Sequence, residues 1–358
     1  MSVIVLSAGG TGGHLFPAQA LAGELAKRRH GIVVMTDARF SNYATAFPDA
    51  RIVTVPSAPL SSLGAPFKIA AGIWVSFFKL LRLRPAAVVG FGGYPSVPVM
   101  LGAVLARLPT AIVGPDAVLG RANRLLAGHV NLIAAGFPLV RFLPRDMTKV
   151  RYVGNPLRPE VTALWGAPYE TPRPDGPLRL LIFGGSQGAR ALSRLVPAAI
   201  TRLPEALKRR LDIVQQCRPE DLDGVRAVYA EAGIRAELAP FFTDLPARMA
   251  AAHLVIGRSG AGTVSELMAI GRPAILIPLP HALDDNQTPN ADILANAGAG
   301  WRVHEADLTP DNLAAMLAEI LSDPEDLARR AAKAHALAAP GATGKLADLV
   351  ENLARRAA

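Results

Sequence analysis

A single cysteine, Cys217, occurs in 358 residues. It excludes an internal disulfide and points to a reducing, intracellular compartment. Aromatic residues are also scarce, at 6%, which leaves few platforms for stacking bases. With no RNP pattern, no Cys/His finger and no dense Lys/Arg helix, no nucleic-acid partner is expected. Yet Lys and Arg number 38 against 29 Asp and Glu, a formal +9, which favours some anionic partner such as a nucleotide or an acidic lipid head group. No Lys or Arg precedes Lys27, and the first apolar run enters a glycine turn, so no secretory signal is read. A long uncharged stretch, 85–106, is broken by Gly90, Gly92, Gly93, Pro95, Pro98 and Gly102. It reads as strand, turn and helix, not as a membrane span.

What the chain does have is 51% hydrophobic residues and enough length for two domains of roughly 150–200 residues each. Short Val/Ile-rich runs alternate with longer Ala/Leu/Arg segments. They fall at 3–7, 32–36, 52–55, 87–91, 110–113 and 132–135, then at 178–183, 211–215, 236–239, 254–257 and 274–278. That rhythm predicts an α/β protein with parallel sheets wrapped by helices. The proline-rich break at 154–176 reads as the linker. The domains are therefore placed at 1–158 and 159–341. The last segment, 342–358, reads as a helix whose destination, back onto the first domain or onto the second, is left open.

Two of the strands run through glycines into a helix. Gly9-Gly10-Thr11-Gly12-Gly13-His14 follows the first, and Gly184-Gly185-Ser186-Gln187-Gly188-Ala189-Arg190 follows the seventh. Such turns aim unpaired backbone N–H groups and the positive end of a helix dipole at one point, which suits a phosphate. Two of them predict two Rossmann-like halves with their parallel sheets facing a central cleft. A dinucleotide fingerprint fails, because its third glycine would fall at Leu15. Asp37 stands where a ribose-binding acid belongs, so a nicotinamide reading is weakened but not eliminated. No P-loop is present. Glycines in such turns also serve close packing alone, but two in matching places favour a ligand.

Five motifs then carry a resemblance: Gly-Gly-Thr-Gly-Gly-His-Leu-Phe-Pro (9–17), Gly-Phe-Gly-Gly-Tyr (90–94), Gly-Asn-Pro-Leu-Arg (154–158), Gly-Gly-Ser-Gln-Gly-Ala-Arg (184–190) and Arg-Ser-Gly-Ala-Gly-Thr-Val-Ser-Glu (258–266). In this order they resemble the MurG family over nearly the whole chain. The resemblance implies a GT-B fold, with an acceptor and membrane-side domain followed by a UDP-sugar-binding domain. It implies transfer of N-acetylglucosamine from UDP-N-acetylglucosamine to the muramyl 4-hydroxyl of lipid I, with inversion, giving lipid II for peptidoglycan. Cell-wall assembly, cell shape and cell division follow as the process, and the cytoplasmic face of the inner membrane as the place of peripheral attachment. No cofactor is implied.

The resemblance also assigns residues. Transfer needs a base for the acceptor hydroxyl, and His14 is the candidate, since a neutral imidazole accepts a proton. The alternative is a histidine that caps the helix or holds the donor phosphate. Thr11, Gly12, Gly13 and Ser186 fall to the donor site, although Ser186 also fits an N-cap. Thr263-Val264-Ser265-Glu266 fits a capping box, whereas the resemblance gives Glu266 the ribose diol and groups it with Ala261, Gly262, Thr263, Val264 and Ser265. Arg158, Phe242 (partly through its backbone, at uracil) and Gln287 (at the sugar) complete the donor contacts, and Gly92, Gly93 and Tyr94 lie on the acceptor side. His281, Asp284 and Asp285 form a polar loop, and no catalytic metal is expected.

Two places depart from the family pattern. Val113-Gly114-Pro115-Asp116 stands where the family has His-Glu-Gln-Asn, so an acid is lost at Gly114 and a sugar-contacting asparagine becomes Asp116. An ionised aspartate accepts hydrogen bonds but cannot donate them. In 67–84, Phe67, Ala70, Trp74, Phe77, Phe78 and Leu81 share a helical face flanked by Lys79, Arg82 and Arg84. Such a helix lies on an anionic membrane or turns inward to a core. Rival readings are a GT-B transferase with another lipid or small-molecule acceptor, a UDP-sugar-binding homologue that has lost activity, and last a dehydrogenase.

Overall fold

The computed structural model describes residues 2–9, 12–38, 47–59, 62, 64–185 and 188–356. The chain divides into two compact units, Met1–Pro159 with Ala339–Ala358, and Glu160–Ala338. The first begins β1 (Val3–Ser7), α1 (Gly12–Lys27), β2 (Gly31–Thr36), β3 (Ala50–Thr54), α2 (Ala65–Leu83) and β4 (Ala87–Gly90). It continues with α3 (Ser96–Leu105), β5 (Thr110–Gly114), α4 (Arg121–Ala127), β6 (Leu132–Ala135), β7 (Val150–Tyr152) and the short α5 (Pro159–Thr162) at the boundary. The second holds β8 (Leu178–Phe183), α6 (Arg190–Ile200), α7 (Glu205–Lys208), β9 (Leu211–Gln216), α8 (Leu222–Glu231), β10 (Ala236–Ala239) and α9 (Leu245–Ala251). There follow β11 (Leu254–Gly257), α10 (Ala261–Ile270), β12 (Ala274–Leu276), α11 (Gln287–Asn296), β13 (Gly300–Arg302), α12 (Pro310–Leu321) and α13 (Pro324–Ala336), and the chain returns to the first unit with α14 (Ala342–Arg355).

Every strand pairing is parallel. The first sheet has seven strands in the order β3-β2-β1-β4-β5-β6-β7, and the second has six in the order β10-β9-β8-β11-β12-β13. The central strands β1, β4 and β5 are almost wholly buried, as helices on both faces require, and this is why they read as unbroken apolar runs. All eleven Val/Ile-rich runs are strands. Two more, β7 and β13, escape the sequence pattern. Each is a three-residue strand at a sheet edge, with an arginine among its residues, so neither carries the apolar run that marks the interior strands.

The last helix is placed by packing. Leu346, Ala347 and Val350 of α14 join Ile4, Leu6, Leu21 and Leu25 in one core. Arg28 then donates to Asp348 at 2.6 Å and to Glu351 at 3.1 Å, and His30 bonds Glu351 at 3.0 Å. On the other face of the sheet, Leu80, Val99, Met100, Leu126 and Ile133 form a second core beneath α2, α3 and α4.

Helix α2 turns small residues inward. Its buried positions are Ala65, Gly72, Ser76 and Leu80. A Cβ on Gly72 would lie 2.0 Å from the Pro56 carbonyl oxygen, and one on Gly102 of α3 would lie 2.9 Å from both the Phe77 nitrogen and the Ser76 Cβ. The two helices therefore touch backbone to backbone, and no aromatic ring fits in the seam. This corrects the core-facing reading of the aromatic stripe: Phe67 is 82% exposed, Trp74 57% and Phe78 63%. The rings pack on one another outside, with Trp74 and Phe78 stacked at 6.2 Å between centroids. Gly72→Ala is expected to lower stability by about 1–3 kcal/mol through overpacking, whereas Trp74→Ser should stay within about 0.5 kcal/mol. Thermal melts of the two variants check this, and equal losses would contradict the seam.

Candidate active site

In an open parallel sheet, crossovers on either side of the point where strand order reverses run to opposite faces, leaving an opening at the carboxyl ends of the strands. The first sheet reverses between β1 and β4. The turn after β1 opens α1, whose third residue is His14, and the turn after β4 holds Gly92, Gly93 and Tyr94. Thus the candidate base and the candidate acceptor glycines flank one switch point. Gly92 and Gly93 have φ of 88° and 74°, a region that favours glycine. A Cβ on Gly92 would sit 3.2 Å from His14 Cε1 and 3.3 Å from Nδ1, and one on Gly93 would sit 3.6 Å from Cδ2. The imidazole is thus bedded against bare backbone.

His14 is half-buried, and its Nδ1 is enclosed without a hydrogen-bond partner. That leaves Nε2 as the ring nitrogen for an incoming group. Asn123 of α4 also reaches this place, its Nδ2 lying 3.5 Å from the Gly92 Cβ position. It is 3% exposed, donates to the Val113 carbonyl at 2.9 Å and keeps Oδ1 buried without a partner. Sequence reasoning missed Asn123. The available signal was an asparagine, a weak helix former, within a seven-residue helix.

Around this point, the Tyr94 hydroxyl donates to Asp37 at 3.0 Å, so the acid read as a ribose ligand holds Tyr94, a candidate acceptor-side residue. Asn155 donates to the Pro115 carbonyl at 2.8 Å, bracing the segment that carries half-buried Asp116. Arg158 is half-buried and lies 4.6 Å over the ring of Phe16, two residues beyond His14. Gly12 and Gly13 form the first turn of α1, and Thr11 lies outside the described residues.

The second sheet reverses between β8 and β11; helices α6 and α10 follow those two strands, whereas Gln287 follows β12 and Phe242 follows the edge strand β10. Helix α6 starts at Arg190 with Ala189 as N-cap. Ser186 itself lies outside the described residues. Helix α10 starts at Ala261 with Gly260 as N-cap. Thr263 and Glu266 are therefore its third and sixth residues, too far along the helix to form a capping box, and that alternative for Glu266 is corrected. Ser265 and Glu266 are 7% and 8% exposed, Ala261 and Val264 are buried, and Gly262 is open.

Hydrogen bonds fasten this end of the sheet. Arg258 donates to the Ile277 and Pro278 carbonyls, each at 3.1 Å, and pairs with Glu305. Ser259 donates to the Gln287 carbonyl at 2.8 Å, and Asn290 to the Ser259 carbonyl at 3.1 Å. The Gln287 side-chain oxygen accepts from the Leu279 N–H at 2.9 Å. Phe242 is 7% exposed under Arg248, whose guanidinium stands 4.3 Å from the ring centroid, so the ring is spent on packing. The lone thiol offers no nucleophile: Cys217 is buried, and burial pushes its pKa up to about 11.

Models of the glycosyltransferase family 28 N-terminal and C-terminal domains match residues 4–135 and 179–352. The chain is 48% identical over 360 residues to the UDP-N-acetylglucosamine--N-acetylmuramyl-(pentapeptide) pyrophosphoryl-undecaprenol N-acetylglucosamine transferase of Nitrobacter hamburgensis, covering 99% of this chain and 97% of that one. It is 50% identical over 357 residues to the Bradyrhizobium sp. enzyme of the same name, covering 97% of each. MurG from Acinetobacter baumannii, at 30% identity, superposes with a TM-score of 0.82 over 98% of this chain and 99% of that chain. Similarity of this degree from end to end, in a chain whose two sheets both open onto helix N-termini, leaves one conclusion: the protein is a glycosyltransferase and belongs to the MurG family.

Proposed function

We propose that the chain moves N-acetylglucosamine from UDP-N-acetylglucosamine to the muramyl 4-hydroxyl of lipid I, giving lipid II, and that His14 is the base. The observation that supports this role for His14 is its position at the first switch point, with Nδ1 enclosed against Gly92–Gly93, from which we infer that Nε2 meets the substrate. Nε2 takes the hydroxyl proton as that oxygen attacks the anomeric carbon. The bond to UDP breaks on the opposite side, so one displacement inverts the centre. The diphosphate leaves as an anion, and a helix N-terminus with several converging donors is suited to receive it.

On this reading the second unit holds the donor. Glu266 accepts from the ribose diol, with Ala261, Gly262, Thr263, Val264 and Ser265 lining that helix start. The Phe242 backbone meets uracil, the Gln287 amide meets the sugar and Ser186 meets the diphosphate. Thr11, Gly12, Gly13, Asp116 and Arg158 are the donor contacts assigned to the first unit, and Gly92, Gly93 and Tyr94 serve the acceptor. Asp116 restricts the sugar contact to acceptance, which fits a sugar hydroxyl as its partner.

Among the described residues no helix is long and apolar enough to cross a membrane. A lipid-linked acceptor is then met from the surface, and the exposed aromatic face of α2, flanked by Lys79, Arg82 and Arg84, supports peripheral attachment to an anionic bilayer. The cytoplasmic face of the inner membrane is the proposed place, and cell-wall growth in shape and division the proposed process.

Incubation with UDP-N-acetylglucosamine and a short-chain lipid I analogue tests the activity: a disaccharide product is expected, and UDP release that ignores the acceptor would contradict it. His14→Ala is expected to lose about 10²–10⁴-fold in turnover with UDP affinity retained; equal loss of both would move His14 to the donor phosphate. Gly92→Ala, which presses on the imidazole, should cost roughly 10²-fold in kcat. Glu266→Gln should weaken UDP binding in calorimetry without lowering the melting temperature. Trp74→Glu with Phe78→Glu should abolish cosedimentation with anionic liposomes while the circular dichroism stays native.

A further inference from the structure

The α2 face is one part of a larger surface. Among the described residues, the exposed large apolar side chains of the first unit include Leu125 of α4 (55%), Leu139 (85%) and Phe142 (58%). Leu126 of α4, with Val140 and Leu143 beside Leu139 and Phe142, packs on the same core as Leu80 of α2 and Met100 of α3. The apolar tips of α4 and of residues 137–147 therefore belong to the same helix layer as the aromatic face of α2. The charge of this stretch is mainly positive: residues 51–147 contain ten Lys or Arg against two acids, Asp116 and Asp146.

Residues 137–147 are held, and the holding is strained. The Arg141 N–H donates to the Ala117 carbonyl and the Leu119 N–H to the Arg141 carbonyl, both at 2.9 Å. Val140 and Leu143 point into the core. Between them, Phe142 takes φ 64°, a left-handed conformation that costs a bulky residue free energy, and its ring nevertheless stands in solvent. The Arg124 guanidinium lies 4.6 Å over that ring. Within the unit the exposed contact with Arg124 returns less than such a backbone conformation costs, so the ring calls for an external partner.

We propose that α4 and residues 137–147 form a second lipid-contacting surface, in which Leu125, Leu139 and Phe142 enter the interface of an anionic bilayer while Arg124, Arg141 and Arg145 pair with its head groups. The choice of a bilayer over a protein follows from the pattern. Protein interfaces have an apolar centre depleted of charge, whereas here an arginine stands within two positions of each apolar tip along the chain, and Arg124 lies over the Phe142 ring, as interfacial anchors do. The proposal rests on the reading that the acceptor is lipid-linked and that α2 docks. It adds that docking occurs at two places, the second fastened through Ala117–Leu119 to the segment that begins with Asp116.

The test is flotation of the full chain with vesicles of phosphatidylglycerol and phosphatidylcholine, or of phosphatidylcholine alone. Phe142→Gly combined with Leu139→Ser removes the tips, and glycine accepts φ 64° without strain, so the melting temperature should not fall. Binding to the anionic vesicles is expected to drop by about tenfold, with turnover on a water-soluble acceptor unchanged. Unaltered vesicle binding in this variant, while Trp74→Glu with Phe78→Glu abolishes it, overturns the second surface and leaves the first. Equal binding of the parent to both vesicle types overturns the anionic requirement. Indifference of binding to both variants overturns the membrane reading of α2 as well. Intact vesicle binding with conversion of a dimer to a monomer in sedimentation velocity would make a second copy of the chain the occupant.

Discussion

Each sheet is all-parallel and each reverses strand order once, at β1/β4 and at β8/β11. That topological constraint decides where chemistry can occur. Side-by-side parallel strands pack helices on both faces and bury everything except the ends, so backbone N–H groups become available only where a helix starts. At the two reversals, crossovers depart to opposite faces and the carboxyl ends stay open. His14 with Gly92–Gly93 in the first sheet, and the α6 and α10 starts in the second, occupy those openings. Catalysis by one displacement needs little more from the protein than a base, a set of anion donors and control of water.

Much of this was legible in the sequence because interior strands leave no ambiguity. Val3–Ser7 or Leu254–Gly257, buried on both faces, has to be an apolar run, and a glycine turn after such a run has few uses. What escaped notice obeys a different rule. β7 and β13 sit at sheet edges and are too short to show a period. Cap positions misled for a related reason: Thr263 to Glu266 has the spacing of a capping box, but the helix begins two residues before Thr263, at Ala261. Local spacing cannot say where the first turn lies when glycine, as at Gly260, takes the cap. Asn123 was hidden because what marks it is its approach across the fold to Gly92, 31 positions away in the chain.

The outer helix layer of the first unit follows from one packing decision. Close approach of α2 and α3 through Gly72, Ser76 and Gly102 leaves no room for aromatic side chains between them. Phe67, Trp74 and Phe78 of α2 are therefore forced outward, so the helix carries an apolar face towards solvent that an ordinary surface helix lacks. With two acids against ten Lys or Arg in residues 51–147, the layer is apolar and cationic together. A glycine seam is thus the structural cause of an exposed apolar and cationic surface.

The central claim is that a base in the first unit drives a single displacement on a donor held by the second. Proton NMR of the anomeric centre in the product reads this directly. A β-linked N-acetylglucosamine formed from the α-linked UDP donor is the predicted result; retention of the α configuration would require two displacements or attack on the leaving-group face, and would contradict the account.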